Sequence, residues 1–136
     1  MGAHLQLVTI VVNDYDDAVA FYCDVLGFDL VEDSPRESTD GRPKRWIVVR
    51  PPRGQTGLLL ARADGPAQEA VVGNQTGGRV GFFLEVDDFA GMEKRLIAAE
   101  VEIVRGPTTQ PYGRVLVFRD IAGNQWDLLG PADADS

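Results

Sequence analysis

The chain is poor in the residues that do the commonest chemistry. Its 136 residues include one cysteine, Cys23, and one histidine, His4. A single cysteine rules out an internal disulfide and a cysteine-built zinc site, and suits a reducing cytosol. With His4 as the sole imidazole, neither a Cys–His nucleophile nor a Ser-His-Asp triad is readily assembled. Long apolar runs are also absent. No stretch approaches the roughly 20 residues of a membrane helix, and Met1-Gly2-Ala3-His4 carries no basic residue ahead of an apolar segment, so no signal peptide is read. Positive charge is scarce as well: 13 Lys and Arg against 21 Asp and Glu, a formal net charge of −8. A polyanion is repelled by most of such a surface, so nucleic acid is not an expected partner. A cytoplasmic protein without membrane association is expected.

What is present suits a globular domain, with 44% hydrophobic and 25% charged residues. The dominant feature is an internal repeat. Leu7–Val12 is an apolar run followed by Asn13-Asp14, and Val80–Val86 is a second followed by Asp87-Asp88. Asp at a helix start accepts hydrogen bonds from the unpaired amides of the first turn. A helical stripe follows each: Ala18, Phe21, Tyr22 and Val25, then Phe89, Met92, Leu96 and Ala99. Gly27 ends the first helix in the manner of a C′ glycine, whereas Glu100 or Val101 stands at the matching place in the second.

A strand comes next in each segment, Phe28–Glu32 and Val101–Arg105, and then a hairpin. Arg45–Arg50 pairs with Thr56–Ala61 across a Pro/Gly turn, and Arg114–Arg119 with Gln125–Leu129 across Ala122-Gly123-Asn124. The repeat spacing is about 69 to 74 residues, depending on the anchor. The pattern predicts an α+β domain of two tandem βαβββ modules, about 5–63 and about 79–130, with an acidic tail over 131–136. Residues 64–78, rich in glycine, are expected to form a linker and mobile lid. One βαβββ unit has a sheet face it cannot bury alone. Two of them are expected to build a curved eight-stranded mixed sheet, with helices on the convex side and a cup for a small ligand on the other.

Asp14 with Ala18-x-x-Phe21-Tyr22-x-x-x-Leu26-Gly27-Phe28, and later Phe118-x-Asp120-x-x-Gly123-Asn124-x-x-Asp127-Leu128, resemble the vicinal oxygen chelate superfamily. That family includes glyoxalase I, bleomycin-resistance proteins and extradiol dioxygenases, and the resemblance covers nearly the whole chain. It implies a homodimer and a small organic ligand. It also implies one metal-ligand position at the start of each module's first strand and one on each module's last strand. These positions fall on Leu7, on Val80 or Gly81, on Leu58 or Leu59, and on Asp127. A divalent ion needs about three or four N, O or S donors, and only Asp127 supplies one. No metal or other cofactor is therefore expected. A relocated set from Glu85, Asp127 and His4 is the alternative, against the plainer reading of His4 as an exposed terminal residue.

Glu85 and Asp127 are the candidate catalytic acids of the cup; each is equally readable as a core acid paired with an arginine or the backbone. Arg45 and Trp46 open the third strand and alternate faces, so only one of them faces the cup. Tyr112 and Arg114 at the second hairpin and Asn74-Gln75 in the linker complete the candidate ligand-binding set, with plain turn, packing and linker roles as the alternatives. Trp126 is expected to face the helices. The reading that follows is a metal-independent binding protein for a small organic molecule. The alternatives are a superfamily lyase, isomerase or dioxygenase, and an accessory or regulatory domain.

Overall fold

The computed structural model describes residues 1–38 and 41–132, so the tail acids Asp133 and Asp135 lie outside the described residues. The elements run β1 (Leu7–Val12), α1 (Tyr15–Val19) continuing as a π-helical segment (Ala20–Val25), β2 (Asp29–Arg36), β3 (Lys44–Arg50), β4 (Gly57–Arg62), α2 (Pro66–Val71), β5 (Val80–Glu85), α3 (Phe89–Ala98), β6 (Ile103–Gln110), β7 (Gly113–Arg119) and β8 (Gln125–Gly130). The eight strands lie in two four-stranded mixed sheets, ordered β1-β4-β3-β2 and β5-β8-β7-β6. The chain divides into two compact units, residues 1–72 and Gly73 onward. Each is a βαβββ module, as the repeat predicts. In each sheet the first and last strands of the module run parallel and the other pairs antiparallel.

The caps come from the acids read in the sequence. Asp14 accepts from the Asp17 amide at 2.8 Å, and Asp88 from the Gly91 amide at 3.0 Å. A Cβ at Gly91 would meet the Asp88 carboxylate in its capping position, so the cap would have to shift to admit one. The first helix departs from the expected stripe. Its second half widens into π geometry, with the Leu26 amide on the Phe21 carbonyl. The wider turn advances the buried face by one residue, so Leu26 rather than Val25 is buried with Phe21 and Tyr22.

At the end of α3, Glu100 adopts the left-handed conformation (φ 58°) that Gly27 (φ 77°) takes in the first unit. The Glu100 amide bonds the Ile97 carbonyl and the Val101 amide the Leu96 carbonyl, closing the helix. A side chain is disfavoured in that conformation. Glu100→Gly is therefore expected to stabilise the protein by about 0.5–1 kcal/mol, read as a rise in the thermal midpoint. An unchanged or lowered midpoint would show that the Glu100 backbone is not strained.

One face of each sheet packs on its own unit's helix. In the first unit this face holds Ile10, Val12, Ile47, Val49 and Leu60, all essentially inaccessible. In the second it holds Leu116, Phe118, Trp126 and Leu128, with the Trp126 ring stacked on Phe82 (4.8 Å) and Phe118 (5.9 Å). Trp126 thus faces the helix side, as the alternation predicts. The opposite, open faces are only half-covered within their units.

Two expectations need correction. The stretch 64–78 is not a plain linker, because Pro66–Val71 forms a short helix. Pro66 presets the first-turn backbone, and the Gln68 side chain accepts from the Asp64 amide at 2.8 Å. The third strands' partners are also longer than read. β2 continues through Ser34-Pro35 to Arg36, and β6 continues through Gly106-Pro107 to Gln110. Both are edge strands, which tolerate proline because one row of amides needs no ladder partner. No helix among the described residues is long and apolar enough to cross a membrane.

Candidate functional site

The open face of the second sheet brings acidic, basic and aromatic side chains onto one row. Residues directly opposite one another on neighbouring strands share a face. Phe83 pairs with Asp127, Asp127 with Val117, and Val117 with Arg105. These four form one row across β5, β8, β7 and β6. Glu85, opposite Leu129, lies on the same face one step along. Next to this row, β6 bulges: Gly106 and Pro107 together face the single residue Leu116 between the Arg105–Val117 and Thr108–Val115 pairs. The bulge re-aims the edge strand. Gly106 (φ 86°) is required at it, because a Cβ would press on the Val115 carbonyl and Leu116.

The result is a concavity of about 310 Å³, whose lining includes Arg105, Thr108, Gln110, Tyr112, Val117 and Asp127. Asp127 is half-buried in it. Burial pushes its carboxyl above the ordinary carboxylate range, and the Arg105 charge partly opposes that. Tyr112, 73% exposed, stands at the rim on the β6–β7 turn. Phe83 presents an uncovered ring at the other end of the row, 66% exposed. Glu85 is exposed.

The first unit has its own smaller concavity, about 220 Å³, where β3 begins and β4 ends, with Trp46, Leu59, Ala61, Tyr15, Arg45 and Arg62 among its lining. Trp46 takes the open face, with the Arg36 guanidinium 5.5 Å from its ring centre. Arg45 takes the helix face. It pairs with Asp33 at 2.7 Å and Asp16 at 2.8 Å, and lies 5.4 Å from the Tyr15 ring. The bidentate bond from Arg45 holds the Asp33 carboxyl below its ordinary value and raises the guanidinium's own. Asp33 therefore contributes to stability above the ordinary carboxylate range, and that contribution is lost as pH falls through its lowered value.

Arg114 repeats this arrangement in the second unit. It lies over the Phe89 ring at 4.7 Å and pairs with Glu93 at 3.6 Å. Both arginines of the candidate ligand set are thus engaged with residues of their own helices, and Arg45 at the same time lines the first concavity. The reason is the strand's alternation combined with an aromatic residue just after each helix cap. Asn74 and Gln75 sit in a turn closed by the Gly77 amide on the Asn74 carbonyl, and neither lines the two concavities. The sequence reading missed Arg36 and Arg105. Arg36 lies beyond the end read for its strand and Arg105 at the end read for its own, and no local pattern in Asp33–Arg36 or Gly106–Gln110 marks the continuation.

The residues at the family's metal positions do not fit a divalent ion. Leu7 and Leu59 share the first sheet's open face and offer only hydrocarbon. Gly81 has no side chain, and the Thr76 methyl occupies the place where its Cβ would stand, 2.6 Å away. Asp127 alone carries a donor. Among the described residues no group of three or more His, Cys, Asp or Glu side chains is placed to hold a metal ion. His4 is exposed ahead of β1.

Two βαβββ modules, each with a helix-covered face and an open, partly concave one, define a glyoxalase-type fold. Residues 4–128 match the Glyoxalase/Bleomycin resistance protein/Dioxygenase superfamily, and the chain belongs to that superfamily. It is 50% identical over 124 residues to an uncharacterized protein of Shewanella frigidimarina, covering 90% of this chain and 89% of that one. Among solved structures it is similar to UcmS2, at 30% identity and a TM-score of 0.78, covering 95% of this chain and 98% of that one. It is also similar to TnmS3, an antibiotic binding protein from Streptomyces sp. CB03234, at 31% identity and a TM-score of 0.72, covering 96% and 97%.

Proposed function

We propose that this protein binds a small organic molecule on the open sheet faces, without a divalent metal and as a homodimer. The observation that carries the reading is the concavity on the second sheet. It combines an apolar floor with convergent polar groups, the usual make-up of a ligand pocket, while the metal positions are filled by leucine, glycine and a threonine methyl. Its likeness to TnmS3, an antibiotic binding protein, supports the same class of role.

The test uses untagged protein. Metal analysis and calorimetry with nickel, zinc, manganese and iron(II) are expected to give no stoichiometric binding at micromolar metal. Native mass spectrometry is expected to give a dimer. A thermal-shift screen of small-molecule antibiotics and other small organic compounds is expected to raise the midpoint, since a ligand at a hundredfold excess over its Kd stabilises by about 2.7 kcal/mol. Stoichiometric metal, or a screen without a single stabilising compound, would overturn the reading.

A second reading, a metal-free lyase or isomerase, rests on Asp127. A carboxyl held above its ordinary range by burial is a candidate general base. Turnover of a bound compound that disappears in Asp127→Asn would establish it; binding without turnover would leave the first reading.

A further inference from the structure

The row that crosses the second sheet has opposite charges at separated positions. Asp127 on β8 and Arg105 on β6 flank Val117 on β7. Two strand spacings put their Cα atoms about 10 Å apart. Both line the concavity, and among the described residues neither side chain makes a hydrogen bond or an ion pair, though the Arg105 charge acts on Asp127 through space. Four other sheet arginines are paired with acids: Arg45 with Asp33 and Asp16, Arg114 with Glu93, Arg119 with Glu102 and Arg36 with Glu32. The acid and base of the concavity are left apart, with valine between them.

The rest of the face has the same polarity. Glu85 adds a second acid on the β5 side, next to Asp127 and beside the exposed Phe83 ring. No acid lines the β6 side of the concavity, where Thr108, Gln110 and Tyr112 supply neutral polar groups. A molecule lying across the strands therefore meets carboxylates at one end, aliphatic carbon in the middle and a guanidinium at the other.

We infer that the second sheet's concavity selects bipolar ligands: molecules with a cationic or hydrogen-bond-donating group at one end, an anionic or accepting group at the other, and a flat apolar body between. The donor end sits on Asp127, the acceptor end on Arg105, and the body lies over Val115 and Val117. This rests on the small-molecule reading above and names the ligand class. Desolvation in the half-buried pocket strengthens the contact at Asp127, and the planar guanidinium suits a carboxylate at the opposite end.

A matched trio of probes tests it: 4-(aminomethyl)benzoate, benzylamine and benzoate, titrated into the full-length protein while backbone amides are followed by NMR. The zwitterion is expected to bind about tenfold tighter than either singly charged probe, with the largest shifts over Val115–Val117 and Trp126–Leu128. Asp127→Asn is expected to lower its affinity to that of benzoate, and Arg105→Gln to that of benzylamine. Exchanging the charges, Asp127→Arg with Arg105→Asp, is expected to restore the preference for the zwitterion with reversed orientation.

Equal affinities for the three probes, or single variants that leave the zwitterion's affinity unchanged, would overturn the inference. If a screening compound still shifts the amides of this face under those circumstances, the ligand class is wrong and the binding reading stands. If neither the probes nor any screening compound shifts them, both fail.

Discussion

Replacing Asp120 with alanine is expected to destabilise the protein more than any other single polar substitution considered. Asp120 is buried, 6% exposed. One carboxylate oxygen accepts from the amides of Ala122, Gly123 and Asn124 at 2.9–3.0 Å. The other accepts from the Asn124 side-chain amide at 3.2 Å and from the Trp126 indole at 2.9 Å. The carboxylate thus satisfies the β7–β8 turn and ties it to the central aromatic of the second unit's core. Alanine leaves several donors buried without partners, each costing about 1–3 kcal/mol. A total loss on the order of 4 kcal/mol follows, after relaxation and partial hydration of the turn.

In a thermal melt that corresponds to a fall of roughly 15 °C, accompanied by a change in tryptophan emission as the indole loses its acceptor. Asp120→Asn separates the two oxygens' roles. It keeps an acceptor for the three backbone amides but turns an NH₂ toward the Asn124 amide and the indole, which are themselves donors. About half the loss is expected. A midpoint for Asp120→Ala within a few degrees of the native protein would show that the turn does not depend on this carboxylate.

The second large effect belongs to the first unit. Tyr22 is fully buried, 0% exposed, with its ring edge-on to Phe21 at 5.2 Å and tilted against Phe28 at 5.7 Å. It lies in the π-helical segment, and its carbonyl accepts from the Phe28 amide at 2.9 Å as the chain leaves for β2. Truncation to alanine removes the ring from a three-aromatic cluster that cannot collapse around the void, because its neighbours are held by that backbone exit. A loss of about 4 kcal/mol is expected, measured by urea denaturation. Tyr22→Phe keeps the ring contacts and should lose only about 1 kcal/mol. Equal losses for both variants would mean that the hydroxyl, not the packed ring, is what the core requires.

The repeat was legible in the sequence because each module writes its strand, cap and helix in local terms. Alternation and apolar runs gave β1 over Leu7–Val12 with its observed ends, and Asn13-Asp14 and Asp87-Asp88 were readable as cap regions because an N-cap is a contact between residues three apart; the structure picks Asp14 and Asp88. The turn Ala122-Gly123-Asn124 was readable for the same reason, whereas the buried role of Asp120 in it was not. The candidate site was legible in part. Asp127 and Tyr112 do line the second concavity, and Arg45 and Trp46 line the first. Arg114 lines neither concavity; period-two alternation says only that neighbours point oppositely, and does not say which of the two faces the helix.

The sequence by itself therefore determined the family, the tandem βαβββ order, the positions of the caps and turns, and the absence of donors at three of the four metal positions. Each of these depends on residue identity or on spacing along the chain. The tertiary structure decided which side of each strand is open. It sent Arg45 and Arg114 to their helices, where Tyr15 and Phe89 present rings for them, and brought Arg105 and Asp127 onto one row. That row depends on two register shifts in β6, one at Ile103–Arg105 and one at Arg105–Thr108. A single inserted residue reverses the face of everything beyond it, and although Gly106 permits the bulge, the pairing with β7 decides its register.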